Sequence, residues 1–566
     1  MSAAERRTAS ANPTASAKPE VLPAPVADPE LIAALRLDLT AAEFTNERVA
    51  QLLGDDALAA MERDQPVPAE LRVAQLLTAE PAPDPCAVLT GLWLLGLEIP
   101  AGQLQAALPH IGVDGLRRLN LVHAVDPALP AHPAPVGEHD GEAYRPSVDL
   151  RPYQAEQEQG LVDLWVASDL PAAQLDGPLH PEHVLGIGGA SLTLAASIHR
   201  APVERALEIG TGCGIQLLHL LDHAEHVVAT DLSRRALDFT EFNLCLNAPA
   251  LRLDPTDLGA RVELVQGSLL EPVVGRRFDL ILSNPPFVIT PRPSDEQIEE
   301  RYTYRDGGRA GDQLMAELIR ALPEHLTESG TAQLLGNWEI QDHDAWDARP
   351  RLWCERFPAE VDAWFIQRDR QDIAQYAETW LRDASTQREP ESYRRRYTEY
   401  LDDFASRAVL AVGFGMIFLR RRPAGAGTIT PWRRFEELTQ AVEQPLGPVL
   451  GAAAARAEIV ARDPQVVFDT VLAVAPDVTE ERHQRFGAVH PEMILARQGA
   501  GLRRSRPVSS AAAGLLGAAD GEYQAAALIT AVAALMADES TDQEELEQAL
   551  RSEVLELYAE GYLRES

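Results

Sequence analysis

One four-residue segment has the groups needed to hold a planar amino group: Asn284, Pro285, Pro286 and Phe287. It follows an apolar run, residues 278–283, which predicts a buried strand. Ligands of α/β folds bind at the carboxyl ends of such strands. The side-chain oxygen of Asn284 and the carbonyl oxygen of Pro285 can accept the two N–H groups of one NH2. The prolines stiffen the loop, and Phe287 offers a flat face to a base or an amide.

This segment indicates chemistry at a planar nitrogen. Such a nitrogen is a weak nucleophile because its lone pair is delocalised. Two acceptors aimed at one NH2 favour a pyramidal nitrogen and stabilise the positive charge that develops on it. A strong general base is not needed, because the proton can leave afterwards. Asn-Pro-Pro also occurs as an ordinary turn, so the segment has to be weighed with what precedes it.

A glycine-rich loop upstream is typical of nucleotide-type cofactor sites. Residues 205–209 predict a short buried strand that carries Glu208 near its end. The loop that follows contains Gly210, Thr211, Gly212 and Gly214. Glycines let the backbone turn tightly and approach a ligand, and the helix that they open presents free N–H groups. Many nucleotide folds use such a loop, so it does not identify the cofactor alone.

Asp231 follows the next predicted strand, residues 226–230. A carboxylate at this position can accept both hydroxyls of a ribose. It can also cap the helix that begins at Ser233, and the two roles are compatible. The spacing would allow NAD, but the Gly-x-Gly-x-Gly order of the loop and the downstream Asn284 segment favour another cofactor.

With both motifs in this order, residues 180–422 resemble class I S-adenosylmethionine (SAM)-dependent methyltransferases of the Asn-Pro-Pro-Phe/Tyr branch. That branch includes release-factor glutamine, adenine-N6 and ribosomal-RNA guanine-N2 methyltransferases. The resemblance implies a Rossmann-like fold, SAM as cofactor and methyl transfer to nitrogen.

The resemblance also assigns roles to residues around the cofactor. Glu208 and the glycine loop would face the amino-acid end of SAM, Asp231 would bind its ribose, and Asn284 would border the cofactor as well as the substrate. The turn that would flank adenine consists of Gly267, Ser268 and Leu269. The family usually has Asp where this chain has Ser268, and a hydroxyl accepts a hydrogen bond more weakly than a carboxylate. The resemblance therefore implies a weaker hold on adenine.

Several substrates fit this reading. The leading prediction is an amino group on a nucleobase in RNA, presented by the flanking domains and stacked on Phe287 after flipping. A glutamine in a protein comes second, because the same geometry serves a carboxamide and an acidic chain disfavours RNA. A small metabolite is third. The alternative to an enzyme is a regulator that binds SAM without catalysis. Ser268 favours this alternative because it departs from the family pattern, and the intact Asn284 segment argues against it.

Alternating strand and helix patterns predict an α/β fold with a central seven-stranded, doubly wound sheet. The last two strands are expected to form an antiparallel edge pair. The predicted strands cover residues 205–209, 226–230, 262–266, 278–283, 331–335, 361–367 and 412–419.

The flanks read as mainly helical and winged-helix-like. Short helices precede two strand-like runs, residues 147–150 and 161–166, which we expect to form the wing of the first flank. The chain is therefore divided into a disordered tail (1–28), an amino-terminal domain (29–175), a methyltransferase domain (176–425) and a carboxy-terminal domain (426–566).

Composition narrows the class of protein. The chain has 566 residues, 46% of them hydrophobic, and a formal net charge of −36, which lowers the odds of general nucleic-acid binding. No apolar run reaches membrane-spanning length, and four scattered cysteines suit a reducing cytoplasm. Lys18 is the only lysine, which indicates the coding bias of a high-GC bacterium. Three short arginine clusters are expected to be solvated or paired with carboxylates, with phosphate contact as an alternative: residues 394–396, 420–422 and 503–506.

No metal site is predicted. His219, His223 and His226 have near-helical spacing after the glycine loop. A zinc site would need a fourth ligand and supporting hydrogen bonds. We therefore expect these histidines to lie on the surface of a helix.

Overall fold

The computed structural model describes residues 21–79, 82–125, 142–157, 160–175, 179–291, 307–383, 390–423, 431–537 and 542–566. Residues 1–20 of the predicted tail lie outside these ranges. Residues 21–28 are ordered, which corrects the prediction of a tail up to residue 28. The Val26 N–H donates to the Leu119 carbonyl at 3.1 Å, and the Asp28 carboxylate caps the first helix by accepting from the N–H of Glu30 and of Leu31.

The amino-terminal part is mainly helical. Its helices are α1 (Pro29–Ala41), α2 (Asn46–Leu53), α3 (Asp55–Met61), α4 (Val67–Leu77), α5 (Pro85–Leu89), α6 (Ala101–Ala107) and α7 (Gly112–Arg118), and a π-helical turn at Thr90–Leu94 extends α5. Its strands are β1 (Ile99–Pro100), β2 (Val122–Ala124), β3 (Ala143–Pro146), β4 (Asp149–Gln157) and β5 (Gly160–Ser168).

The first small sheet has the connectivity of a winged helix. Its strand order is β1–β3–β2 with antiparallel neighbours, and α6 and α7 lie between β1 and β2 along the chain. The winged-helix-like flank was predicted, but with the wrong strands: β2 and β3 form the wing. The two predicted wing strands instead form a separate hairpin, β4–β5.

This hairpin packs on the central domain, where two asparagine carboxamides form hydrogen bonds with its backbone as a neighbouring strand would. The amide oxygens of Asn243 and Asn247 accept the N–H of Ala167 and of Trp165 at 2.8 and 2.9 Å, and their amide nitrogens donate back to the same residues' carbonyls. The Asn243 nitrogen also donates to the Cys213 carbonyl at 2.9 Å. One helix therefore connects the hairpin to the glycine loop.

The central domain is built on one large sheet. Its strands are β6 (Val203–Ile209), β7 (Ala224–Asp231), β8 (Val262–Gln266), β9 (Phe278–Ser283), β10 (Leu326–Gln341), β11 (Val361–Asp372), β12 (Val409–Arg421) and β13 (Arg433–Glu437). Its helices are α8 (Gly189–Ala195), α9 (Ile215–Leu220), α10 (Arg234–Leu246), α11 (Gln313–Ala321), α12 (Ala348–Cys354), α13 (Ile373–Asp383) and α14 (Pro390–Ser406).

The sheet order is β13–β11–β12–β10–β9–β6–β7–β8, and β12 runs antiparallel to both of its neighbours. The doubly wound α/β class is confirmed, but the described residues form a sheet of eight strands where seven were predicted. The missed strand, β13, consists of four charged residues around Phe435, so it lacks the apolar alternation that marks a strand. It is held at the edge by pairing with β11 and by stacking of Phe435 on Phe365, whose ring centroids lie 5.6 Å apart. The sheet therefore extends beyond the predicted domain boundary at residue 425.

The carboxy-terminal part combines helices with two small sheets. Its helices are α15 (Gly447–Arg462), α16 (Pro464–Asp469), α17 (Ser510–Ala518), α18 (Ala525–Met536) and α19 (Gln543–Glu560). Its strands are β14 (Val471–Val474), β15 (Val478–His483), β16 (Met493–Gln498), β17 (Ser505–Val508), β18 (Asp520–Gln524) and β19 (Leu563–Glu565).

One of these sheets has the order β18–β14–β19, with the first of its three strands in the centre, whereas the winged-helix order of the amino-terminal sheet has the last strand in the centre. Gly561 ends α19 in the left-handed conformation and turns the chain into β19. Within the described ranges, every helix is too short or too polar to cross a bilayer.

Candidate cofactor and substrate site

The two sequence motifs meet at the carboxyl edge of the central sheet. Strands β6 and β9 are parallel neighbours, and Ile209 pairs with Ser283 at their ends. The Ser283 hydroxyl donates to the Ile209 carbonyl at 2.9 Å. A Cβ placed on Gly210 would lie 3.9 Å from the Asn284 carbonyl oxygen. The glycine loop and the Asn-Pro-Pro-Phe segment are therefore in direct contact.

The glycine loop has a backbone that only glycine adopts easily. Gly210, Gly212 and Gly214 have φ angles of +73°, +57° and +88°. A Cβ on Gly212 would meet no atom within 4 Å, so the space in front of the loop is open to a ligand. A Cβ on Gly214 would lie 3.2 Å from the Thr240 side chain, which shows that this glycine serves packing as well as the turn.

Asp231 connects the end of β7 to the glycine loop. Its Oδ2 accepts the Gly212 N–H and its Oδ1 accepts the Ser233 N–H, both at 2.9 Å. Ser233 itself caps α10, so the predicted capping role of Asp231 is wrong. Each carboxylate oxygen keeps a further lone pair for a ribose hydroxyl. Burial raises the pKa of Asp231, although these backbone donors oppose the rise.

Glu208 lies fully buried beneath the same loop. Its Oε2 accepts the Thr211 hydroxyl at 2.8 Å. Burial raises the pKa of Glu208 to about 8, the Thr211 hydrogen bond opposes the rise and nearby Asp231 adds to it. In the described ranges no arginine forms an ion pair with Glu208 or Asp231, so this edge of the sheet favours a ligand with positive charge.

The turn after β8 lies beside Asp231. The Gly267 N–H donates to the Asp231 carbonyl at 2.9 Å, and a Cβ on Gly267 would collide with Pro272 at 2.3 Å. Leu269 has a left-handed backbone with φ of +48°. The half-buried Ser268 hydroxyl has no hydrogen bond to any described residue. It is therefore available to a ligand, as the resemblance requires of a residue next to adenine.

The Asn-Pro-Pro-Phe segment forms a tight turn. The Phe287 N–H donates to the Pro285 carbonyl at 2.8 Å, so one of the two lone pairs of that carbonyl is used within the turn. Pro285 is buried, whereas Asn284, Pro286 and Phe287 are half-buried. The Asn284 carboxamide makes no hydrogen bond to a described residue, and the Phe287 ring packs against two core clusters.

Two residues outside the predicted set support the chain just after this turn. The Tyr376 hydroxyl accepts the Ile289 N–H at 2.8 Å, and the fully buried Asn337 donates to the same hydroxyl at 3.4 Å. The Asn337 carboxamide oxygen has no partner within the described residues. Asn337 lies within β10, three residues beyond Leu334, which pairs with Ser283 at the end of β9. Its position just after the predicted strand 331–335 was its signal in the sequence, and Tyr376 on α13 had none.

The predicted surface histidines are not all on the surface. His219 is buried on α9, its ring bonded to the Tyr153 hydroxyl at 2.6 Å, and burial lowers its pKa to about 3. Sequence reasoning failed here because the hairpin β4–β5 covers this face of α9, and a helix pattern does not reveal what covers it.

One described group could hold a metal ion: Asp169, His180 and His183. The Arg235 guanidinium donates to both oxygens of Asp169, and the Val184 N–H donates to Oδ2 at 2.8 Å. A cation already neutralises this carboxylate, so the group is better suited to an ion pair than to a metal.

SAM fits the residues at the carboxyl edge. It carries a sulfonium and an ammonium group, and the site offers the carboxylates of buried Glu208 and half-buried Asp231, which have no arginine partner in the described ranges. It also offers an open glycine loop and the Ser268 hydroxyl. Glu208 and the glycine loop would hold its amino-acid end, Asp231 its ribose and Ser268 its adenine.

The chain matches two protein families. Residues 186–301 match the family described as methyltransferase small domain, and residues 41–132 match a domain of unknown function, DUF7059.

Curated relatives cover the central domain. A ribosomal protein uL3 glutamine methyltransferase of Bradyrhizobium diazoefficiens is 29% identical over 34% of this chain and 58% of its own length. A release factor glutamine methyltransferase of Geobacter sulfurreducens is 32% identical over 28% and 54%. A Methanocaldococcus jannaschii protein, whose name assigns it to the protein N5-glutamine methyltransferases, is 30% identical over 28% and 73%. The chain spans little more than half the length of the first two relatives.

Proposed function

Because the chain belongs, through its central domain, to the SAM-dependent methyltransferases of the Asn-Pro-Pro-Phe/Tyr branch, we propose that it methylates the side-chain nitrogen of a glutamine in a protein substrate. The names of the three relatives all specify glutamine. They favour the second alternative from the sequence over the leading prediction, a nucleobase in RNA.

The observation that carries the proposal is the contact between the glycine loop and the Asn284 turn. This contact supports a cofactor site beside acceptors for an NH2 group, because it brings the two segments to the same edge of the sheet. SAM supplies a sulfonium-bound methyl group that a nitrogen can attack. Asn284 accepts one N–H of the glutamine amide through its free carboxamide oxygen, and Pro285 accepts the other through its remaining lone pair.

These two acceptors determine the orientation of the amide. They hold its plane against the exposed part of the Phe287 ring and direct the nitrogen lone pair toward the cofactor. Both oxygens would stabilise the positive charge that grows on the nitrogen when it accepts the methyl group that SAM would supply, leaving the neutral thioether. The methylated nitrogen then loses a proton to solvent, so no buried base is required.

Charge favours a protein over RNA as substrate. The formal net charge of −36 repels phosphate backbones. Two of the arginine clusters are largely used inside the molecule, where Arg420 pairs with Glu458 at 2.6 Å and Arg504 with Glu436 at 3.0 Å. These arginines stabilise contacts between the sheet and the carboxy-terminal part and do not present a surface to phosphates.

The test is transfer of a radiolabelled methyl group. The purified protein is incubated with labelled SAM and with separated protein and RNA fractions from cells that lack it. We expect label in protein, located by mass spectrometry on a glutamine side chain. Label in RNA alone would contradict the proposal, and SAM binding without any transfer would support the non-catalytic regulator instead.

A further inference from the structure

A buried carboxylate outside the predicted site lacks a full set of partners. Asp149, the first residue of β4, is 4% exposed. Arg151 donates to its Oδ2 at 2.5 Å, whereas its Oδ1 is buried without a hydrogen-bond partner in the described ranges. Leaving a buried charged oxygen unpaired is costly, so such an atom indicates a missing donor.

Asp149 lies against the glycine-rich segment that leads into α8. A Cβ on Gly186 would lie 2.6 Å from the Ser168 hydroxyl and 3.9 Å from the Asp149 Oδ2. Ser168 is the residue that pairs with Asp149 across the hairpin. A side chain at position 186 would therefore be in contact with the carboxylate and would require the Ser168 hydroxyl to move.

Asp149 also lies within electrostatic range of the cofactor loop. Its charge contributes to raising the pKa of the Cys213 thiol, after burial and Glu208. Cys213 belongs to the glycine loop, and its carbonyl is bonded to Asn243, which also holds Ala167 of the hairpin. The hairpin thus has a defined position relative to the loop, and Asp149 with it.

A second buried acceptor borders the same loop. Gln216 is 4% exposed, and its amide nitrogen donates to the Ser191 carbonyl of α8 at 2.8 Å. Its amide oxygen has no donor among the described residues. Two donor-deficient oxygens, one of them charged, suit a group with several N–H donors and a positive charge, and a primary ammonium has both properties.

We propose that Asp149 binds the α-ammonium group of the methionyl end of SAM, and that Gln216, on the helix that the glycine loop opens, is a further acceptor for the same end. The inference rests on the proposed function, which supplies the cofactor. It assigns to the hairpin before the methyltransferase domain a direct part in cofactor binding. Burial raises the pKa of Asp149 to about 6, Arg151 only partly opposes this, and a bound ammonium would stabilise the ionised form.

The test is calorimetric titration of the full chain with three ligands. SAM and S-adenosylhomocysteine carry the ammonium group, whereas 5′-methylthioadenosine lacks the amino-acid end. We expect Asp149→Asn to weaken the first two by about tenfold or more and to leave the third within about twofold. The matched control is Asp163→Asn, an exposed carboxylate on β5 of the same hairpin, which should bind all three ligands like the wild type.

The ligand can be changed as well as the protein. For the wild type, S-adenosylhomocysteine without its α-amino group should bind about tenfold more weakly than the intact compound. For Asp149→Asn, the two compounds should bind with about the same affinity. Unchanged SAM affinity in Asp149→Asn would overturn this inference alone. Equal weakening of 5′-methylthioadenosine would also overturn it, because the variant would then disturb the whole site. A wild type that binds none of the ligands would overturn the proposed function together with it.

Discussion

Asp169 and Glu208 are both buried carboxylates in the central region, but their surroundings are opposite. Burial alone would raise the pKa of Asp169, yet hydrogen bonds from His180 and Arg235 hold it well below its usual range. Glu208 accepts a hydrogen bond from the Thr211 hydroxyl and has no arginine partner among the described residues, and burial raises its pKa to about 8.

This difference separates a structural site from a ligand site. The Asp169–Arg235 pair joins three parts of the chain, because Arg235 on α10 also donates to the Leu22 carbonyl at 2.7 Å. Its charges are balanced within the protein. No cation of the described residues balances Glu208, so a positively charged ligand would stabilise its ionised form.

The largest effect on stability is expected when the arginine that pairs with a buried carboxylate is removed. Arg235→Ala leaves Asp169 charged and buried, which should lower the free energy of unfolding by about 3–5 kcal/mol. Urea denaturation measures this. Arg234→Ala, which removes an exposed arginine paired with Asp238, should cost less than about 1 kcal/mol. Similar losses in both variants would show that Asp169 does not depend on its arginine.

The next effect concerns the acceptor at the carboxyl edge. Asn284→Ala removes an oxygen that stabilises charge on the attacking nitrogen, so the rate of methyl transfer should fall about 10²–10³-fold. SAM affinity should change far less. Single-turnover assays and calorimetry measure the two quantities. Unchanged methylation by a variant that still binds SAM would remove Asn284 from the proposed mechanism.

Because no described cation pairs with Glu208, we expect the affinity of the protein for SAM to depend on pH. Since the folded pKa is raised to about 8, the free protein holds Glu208 protonated at neutral pH, and a cationic ligand favours the ionised form. SAM affinity should therefore rise with pH, by up to about tenfold per unit, and level off above about pH 8. Glu208→Gln should remove this rise.

The raised pKa of Glu208 has the opposite effect on the stability of the ligand-free protein, which should fall as pH rises. A carboxyl whose folded pKa is raised stabilises the fold below its unfolded pKa, and this contribution is lost as pH rises through about 8. Thermal melting without ligand should show this loss, and Glu208→Gln should reduce it. A SAM affinity that falls as pH rises would contradict the assignment.

The smallest effect is expected on the affinity for SAM when Ser268, the residue assigned to adenine, is changed. Ser268→Asp replaces a free hydroxyl by a carboxylate, a stronger acceptor for an amino group, and should strengthen SAM binding by about three- to tenfold. 5′-Methylthioadenosine contains the same adenine and should gain equally, whereas Asp149→Asn should distinguish the two ligands. Unchanged affinity for both would place Ser268 away from adenine.

The sequence was sufficient for the centre of the molecule because its signals there are local and repeated. Apolar strands with polar residues at their ends predict a parallel sheet, and parallel strands bring those ends to one edge. For this reason Gly210, Asp231 and Asn284 lie together as expected, although their roles stay predictions. The sequence was insufficient for β13, because its four charged residues resemble a loop. It was also insufficient for the wing of the amino-terminal part, because the two runs with the stronger strand pattern form the separate hairpin β4–β5.

By itself, the sequence determined which chemical groups are present and the order in which strands and glycine turns follow one another, since backbone propensity and hydrophobic periodicity act over a few residues. Only the tertiary structure decided that the hairpin covers His219, that Tyr376 supports the chain after Phe287, and that Asp149 lies against Gly186. These contacts join residues far apart in the chain. Burial, and with it every shifted pKa described above, follows from what packs around a group, which no local pattern specifies.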